Sequence, residues 1–304
     1  MSGCTPMSCS APAETPDQLE HREGEQWDAI RQALRAHRFD MIHDHSGGFW
    51  RHAAEASVPI LATLHLPRSM YQPTLFCDLP ANVFFNCVSE SQAKDFRDLP
   101  NFVGVVENGV DLARFPPSRD KKNFVLWLGR VCEEKGPHLA IAAARMAGTR
   151  LVLAGAVYPF SYHLDFWRRT IVPAIDGGAV WFLQRPSWTE KLTLLQRAKA
   201  VLIPSLVDET SSLVALEAMA CSTPVIAFHR GALPEIVADG KTGFLVDSVE
   251  EMAAAISRVE QLDPDACRAR VAANFPFRAT ADDYERLYAD VMQRARADRI
   301  AAAS

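Results

Sequence analysis

Two carboxylates bracket a small hydroxyl cluster in LVDETSSLVALEAMACSTPVIAF, residues 206–228: Glu209 precedes Ser211 and Ser212, and Glu217 follows them. AVLIPS, just upstream, reads as a strand, LVDET as its exit, and SSLVALEAMAC as a helix with serines at its amino end. The backbone N–H groups near Ser211, Ser212 and Leu213 then point out of the helix start and offer an anion cradle. Eight positions along a helix span about 12 Å. One carboxylate can therefore reach a sugar and the other a ribose, with phosphates between them, since carboxylates accept well from vicinal hydroxyls. The alternative is that Glu209 is a first-turn charge favoured by the helix dipole and Glu217 an exposed helix residue. Against it, Glu217 sits between Leu216 and Ala218 in an apolar segment.

A second cluster lies in LWLGRVCEEKGPHLAIAAARMAG, residues 126–148. A strand ends at Gly129, Arg130 and Lys135 follow in a short loop, and Gly136-Pro137 opens a helix, proline suiting the first turn. Two cations and a helix start converge there on the carboxyl edge of a sheet, a place that suits a diphosphate. Equally open is that Arg130 and Lys135 are loop charges paired with Glu133 and Glu134. Histidines recur at strand ends: His65 in ILATLHLP, and His43 and His45 in IHDHSGG, whose HxH spacing alone is a poor metal site. In ENGVD, Asn108 and Gly109 suit positive φ in a turn.

The elements that must position these residues alternate along the chain. Strand candidates are DMIH, PILATLH, NVFFNCVS and FVGVVENG, then NFVLWLG, RLVLAG, AVWFL, AVLIPS, PVIAF and GFLV. Most are continuous apolar runs separated by helical segments, which predicts parallel strands covered on both faces, an α/β class with doubly wound sheets. DLARFPPSRDKKN, residues 111–123, marks a boundary, with six strands after it and four before. FPFRATADDYERLYADVMQRARADRI reads as one long helix with Tyr284, Leu287, Tyr288 and Val291 on a stripe that needs a partner surface. The opening stretch, rich in Ser, Pro and charge, reads as a disordered tail. After it, Trp27, Ile30, Ala33 and Leu34 fall at helical spacing.

Composition narrows the function classes. A formal net charge of −5 gives no electrostatic reason for nucleic-acid binding. Seven scattered cysteines with no CxxC pair fit a reduced, cytoplasmic compartment. No apolar run approaches the roughly 20 residues of a membrane span, which leaves room for contact with a membrane surface only.

These residues resemble the family 4 glycosyltransferases of the GT-B fold. Glu209 and Glu217 match the family's Glu-x7-Glu motif, and ENGVDLARF (107–115), GRVCEEKGPHLAI (129–141) and EAMACSTPVIAFHRGALPEIVADGKTGFLVD (217–247) are similar to its conserved blocks. The resemblance runs from about residue 37 to 295. It implies two Rossmann-like domains. The division read here is a tail at 1–26, an acceptor-side domain at 27–117, a nucleotide-sugar domain at 118–274, and a closing helix at 275–304 that returns to the first domain. It implies that Arg130 and Lys135 neutralise the donor diphosphate, that Glu217 binds the ribose, that Glu209 lies beside the donor sugar's hydroxyls, and that His65 reaches the sugar from the first domain. Thr210, Ser211, Ser212 and Leu213 stand where many relatives carry Pro-Phe-Gly-Leu after the first glutamate, and Ser211, Ser212 and Leu213 form the expected cradle. The expected partners are a UDP- or GDP-sugar donor and a hydroxyl acceptor, with anomeric configuration retained and no metal or other cofactor required. Nothing before Trp27 resembles the family's opening strand and Gly-rich loop. The first domain is therefore read as incomplete and the chain as N-terminally shortened, with self-association or a partner polypeptide covering the exposed sheet edge. Alternative functions are a non-catalytic nucleotide-sugar-binding or regulatory subunit and a nucleotide-sugar epimerase.

Overall fold

The computed structural model describes residue 25, residues 28–46 and residues 48–302. Apart from residue 25, the stretch read as a tail lies outside the described residues, as do Trp27, Gly47, Cys4 and Cys9. Among the described residues, ten strands form two parallel sheets. The first holds β1 (Ile42–Asp44), β2 (Ile60–Thr63), β3 (Val83–Cys87) and β4 (Phe102–Val105), in that order across the sheet. The second holds β5 (Lys122–Arg130), β6 (Arg150–Ala156), β7 (Val180–Gln184), β8 (Ala198–Ile203), β9 (Val225–Phe228) and β10 (Gly243–Val246), in the order β10-β9-β8-β5-β6-β7. Each of the ten strand candidates overlaps one of these strands.

Helices fill the connections: α1 (residues 28–36), α2 (Glu90–Ala93), α3 (Pro137–Met146), α4 (Ser161–Phe166), α5 (Trp188–Arg197), α6 (Leu213–Ala220), α7 (Leu233–Ile236), α8 (Val249–Arg258), α9 (Pro264–Asn274) and α10 (Phe277–Ala302). Serines set several starts. Ser89, Ser187, Ser212 and Ser248 each accept the backbone N–H three residues on, at the head of α2, α5, α6 and α8. Pro137 occupies the first turn of α3, where its missing N–H costs nothing.

Each strand of the second sheet sends alternate residues to opposite faces. Val125, Leu151, Ala200 and Ile226 enter one core with α3 and α8, whereas Leu126, Ala154, Val201 and Val225 enter another with α6 and α9. Burial on both faces is why the runs are apolar without alternation. The first sheet is covered likewise. Ile60, Val83 and Phe85 face Trp50 and Phe96, while Leu61 and Phe84 face Leu287, Val291 and Ala295 of α10. The apolar stripe of α10 thus finds its partner surface on the first sheet.

The boundary region is packed rather than loose. Residues 111–121 contain neither helix nor strand. Phe115 is buried, and the Arg268 guanidinium donates to the carbonyls of Leu112, Phe115 and Ala220 at 3.1, 2.6 and 2.5 Å. One turn expectation is corrected: neither Asn108 nor Gly109 takes positive φ. Glycine at 109 serves a close approach instead, because a Cβ there would lie 2.7 Å from Thr280 Oγ1 and 2.8 Å from the Pro276 carbonyl.

Phe84 is 1% exposed between β3 and α10. Phe84→Ala is expected to lower unfolding free energy by about 3–5 kcal/mol in urea titrations. A loss under about 1 kcal/mol would mean that α10 does not cover this face.

Candidate functional site

The order of the second sheet places its switch point between β5 and β8, whose connections leave in opposite directions. Ligands of such sheets bind outside the carboxyl ends at that point. There the loop after β5 and the loop after β8 are zipped together: the Glu134 carbonyl accepts Leu206 N–H at 2.8 Å and Ser205 Oγ at 3.3 Å. Gly136, at φ +64°, lies so close that a Cβ would sit 2.0 Å from the Pro204 carbonyl oxygen. The Trp127 indole N–H holds the Lys135 carbonyl at 3.0 Å.

With both backbones fixed, the Lys135 ammonium donates to both Glu209 oxygens, at 2.7 and 2.8 Å. The Glu209 side chain is only 10% exposed. Gly231, at φ +56°, supports it from behind. A Cβ there would meet the Glu209 carbonyl at 2.3 Å, and Ala232 N–H donates to that carbonyl at 2.7 Å. Arg130 is exposed and faces the Cys132, Glu134 and His163 side of the loop. Lys135 therefore pairs with Glu209 rather than with Glu133 or Glu134.

Glu217 belongs to a second pair. Lys191 Nζ, from α5, lies 2.7 Å from its carboxylate oxygens, and the Glu217 side chain is 12% exposed. Burial raises the Glu217 pKa, opposed by the hydrogen bond and charge of Lys191. The helical span between the two glutamates is corrected by the start of α6. Residues 208–212 are not helical, so Glu217 lies about one turn inside the helix rather than two turns below Glu209. Ser212 caps α6, Leu213 is half exposed at its first position, and Ser211 lines a narrow crevice with Val88, Ser89, Glu107, Asn108 and Glu235.

That crevice runs between the two sheets. Thr210 Oγ1 donates to the His65 carbonyl at 2.8 Å, which brings the end of β2 beside Glu209. Tyr71 and Gln92 brace the same loop: Tyr71 OH accepts from the His65 and Leu66 amides, and Gln92 Nε2 donates to the Leu64 and Leu66 carbonyls. His65 Nε2 meets His45 Nδ1 at 2.9 Å. The His45 ring lies 3.9 Å from that of His43, which bonds Tyr288 OH and Thr63 Oγ1, both at 2.7 Å. The three histidines thus form one cluster, which the sequence reading treated as separate strand ends. Also missed was Lys191, and the two tyrosines of α10 were read only as part of its apolar stripe. The signal for Lys191 was the Ser187–Glu190 capping box, which fixes the first turn of α5.

A family model described as "Glycosyl transferases group 1" matches residues 111–274. The chain belongs to that family. Its sheets are those of a GT-B-like, Rossmann-type glycosyltransferase fold. A "D-inositol 3-phosphate glycosyltransferase" of Mycolicibacterium smegmatis is 31% identical over 310 residues, covering 87% of this chain and 70% of the relative. Of further curated relatives with that description, the chain spans about half the length. The crystal structure of AviGT4, a glycosyltransferase involved in avilamycin A biosynthesis, superposes with a TM-score of 0.66 at 26% identity, over 88% of this chain and 78% of that one. Anabaena HepE in complex with UDP-glucose superposes with a TM-score of 0.72 at 19% identity, over 91% and 84%, a likeness of fold alone. Among the described residues of this glycosyltransferase, no helix is long and apolar enough to cross a membrane.

The histidine cluster makes stability depend on pH. Burial, then the charge of His45, lowers His43 from 6.5 to about 4; Asp44 opposes this and His65 adds to it. Burial also lowers His45 and His65. The unfolded chain protonates these groups first, so stability is complete above about pH 6.5 and is lost as pH falls towards 4. Thermal midpoints measured across that range are expected to fall, and less steeply in His43→Asn. Coincident profiles for the two proteins would refute the assignment.

Proposed function

We propose that this glycosyltransferase moves a sugar from a UDP- or GDP-linked donor to a hydroxyl acceptor with the anomeric configuration retained. The observation that carries the reading is the Lys135–Glu209 pair at the switch point, with His65 tied to Thr210 across the crevice. Lys135, beside Glu209, can hold charge developing on a departing nucleoside diphosphate, and in this reading Arg130, at the end of β5, joins it by turning from the Glu134 and His163 side. In this reading no metal sits on the diphosphate, because the two cations and the first-turn amides of Leu213 and Val214 supply the positive potential. Once Lys135 turns to phosphate, Glu209 is free to accept from the donor sugar's hydroxyls. Glu217 is the candidate for the ribose hydroxyls, with Lys191 holding it, and His65 approaches the sugar from the first sheet.

The solved complexes of HepE with UDP and with UDP-glucose support a nucleotide-sugar donor. The description of the curated relatives makes inositol phosphates the first acceptors to try. Binding is read by thermal shift over nucleoside diphosphates and their sugars, since a ligand of the folded state raises its stability. Transfer is read as glycosylated product, whose anomeric configuration tests retention. Lys135→Ala is expected to lower kcat/KM for the donor by about 10²–10³-fold while the chain stays folded. An unchanged kcat/KM would overturn the role of Lys135. Diphosphate binding without turnover on any acceptor would favour a binding subunit over an enzyme.

A further inference from the structure

The loop that carries Arg130 and Lys135 has a second side. Its Cys132 and Glu134 side chains meet His163 of α4. One ligand atom from each, the thiol sulfur, a carboxylate oxygen and an imidazole nitrogen, lies within 4.8 Å of the other two. Cys132 and His163 are both 0% exposed. Neither ring nitrogen of His163 has a hydrogen-bond partner among the described residues, and the Glu134 carboxylate is 3.8 Å from Nε2. A fully buried imidazole without a partner forgoes hydrogen bonds that water would have supplied, and such a group calls for an explanation.

We propose that Cys132, Glu134 and His163 form a binding site for a divalent transition metal, with zinc the ion that best suits the donor set. Sulfur, nitrogen and oxygen donors together favour zinc-like ions, whereas magnesium and calcium take oxygen alone. Metal–ligand distances of about 2.0–2.3 Å in a tetrahedron put donor atoms roughly 3.5 Å apart, so the three side chains need to close by only about 1 Å. The fourth position falls to water or to the Arg130 carbonyl, which already accepts from Cys132 Sγ at 3.5 Å. Binding replaces the S–H bond by an S–metal bond and releases one proton to solvent. The thiolate and carboxylate then offset the ion's two charges, and His163 binds as neutral imidazole, the form that burial already favours.

The site would join the loop after β5 to α4, two segments otherwise separated by β6. It would stiffen the turn from which Arg130 and Lys135 project. The role is structural, distinct from any ion on a diphosphate, and it stands or falls independently of the transfer reaction.

The test uses the full chain without a polyhistidine tag, stripped with a chelator and titrated with zinc sulfate or cobalt(II) chloride. One zinc per chain is expected to survive gel filtration and to raise the melting temperature. Cobalt is expected to give a thiolate-to-metal charge-transfer band. Even outer partners of metal sites are worth about 10–100-fold in affinity, so Cys132→Ser and His163→Gln should lose more than roughly 100-fold and abolish the band. Each variant's shift is measured against its own metal-free form, so a lower baseline does not obscure the result. Glu134→Gln, at a partly exposed position, carries the test if a buried variant fails to fold. The proposal is overturned if the wild-type chain lacks the cobalt–thiolate band. It is equally overturned if zinc raises the melting temperature of wild type and variants alike, as binding at His43, His45 and His65 would do.

Discussion

The chemistry at the crevice depends on how closely two loops approach at the carboxyl ends of β5 and β8. Gly136 against the Pro204 carbonyl and Gly231 against the Glu209 backbone leave no room for a methyl group. Both glycines also sit at positive φ, where other residues are strained. The backbones carrying Lys135 and Glu209 are therefore fixed before their side chains meet. The pair they form is largely buried, with exposures of 27% and 10%. Removing both charges from water costs about as much as their attraction returns. Its value is positional: an ammonium and a carboxylate are held at one point of the crevice.

Two lysine–carboxylate pairs, rather than one, follow the line from loop to helix. Glu209 has Lys135 and Glu217 has Lys191. An unpaired carboxylate at either depth would carry the full cost of desolvation. Under the proposed reading, a diphosphate arriving at Lys135 exchanges one charge-assisted partner for another, and the carboxylate released meets hydroxyls in the same step. Neither charge is then left buried alone while the donor enters.

The strands were legible because each is buried on both faces, so their apolar runs stand out from the polar connections. The loops after β5 and β8 were legible because glycine, proline and serine at fixed offsets dictate local backbone. What escaped the sequence was pairing across distance. Lys191 meets Glu217 26 positions away, His45 meets His65 20 positions away, and His43 meets Tyr288 245 positions away. Such contacts depend on the order of strands in a sheet and on where a terminal helix lies, and periodicity encodes neither. Gly109 was misread for a related reason. Its requirement comes from Pro276 and Thr280 packed against it, not from its own turn.

Polar groups of short reach tie the two sheets together beside the apolar Val88, Leu216, Ile236 and Phe275 that line the same crevice. Thr210 holds the His65 carbonyl, and the Glu235 carboxylate accepts the Glu90 and Ser91 amides at the start of α2, at 3.0 and 2.5 Å. A carboxylate there gains from first-turn N–H groups that the short helix cannot satisfy itself. Carboxylates also crowd this junction: burial, then Glu235, Glu90 and Asp283, raises the pKa of Glu107, with Arg270 opposing. Apolar packing, by contrast, joins α10 to the first sheet through Leu287, Val291 and Ala295. The hydrogen bonds at the crevice mouth join groups that water can also satisfy, whereas the seat of α10 is apolar. Under the proposed reading, a cleft that admits and releases a charged donor is held in part by polar contacts, which cost little to open because water satisfies the separated groups.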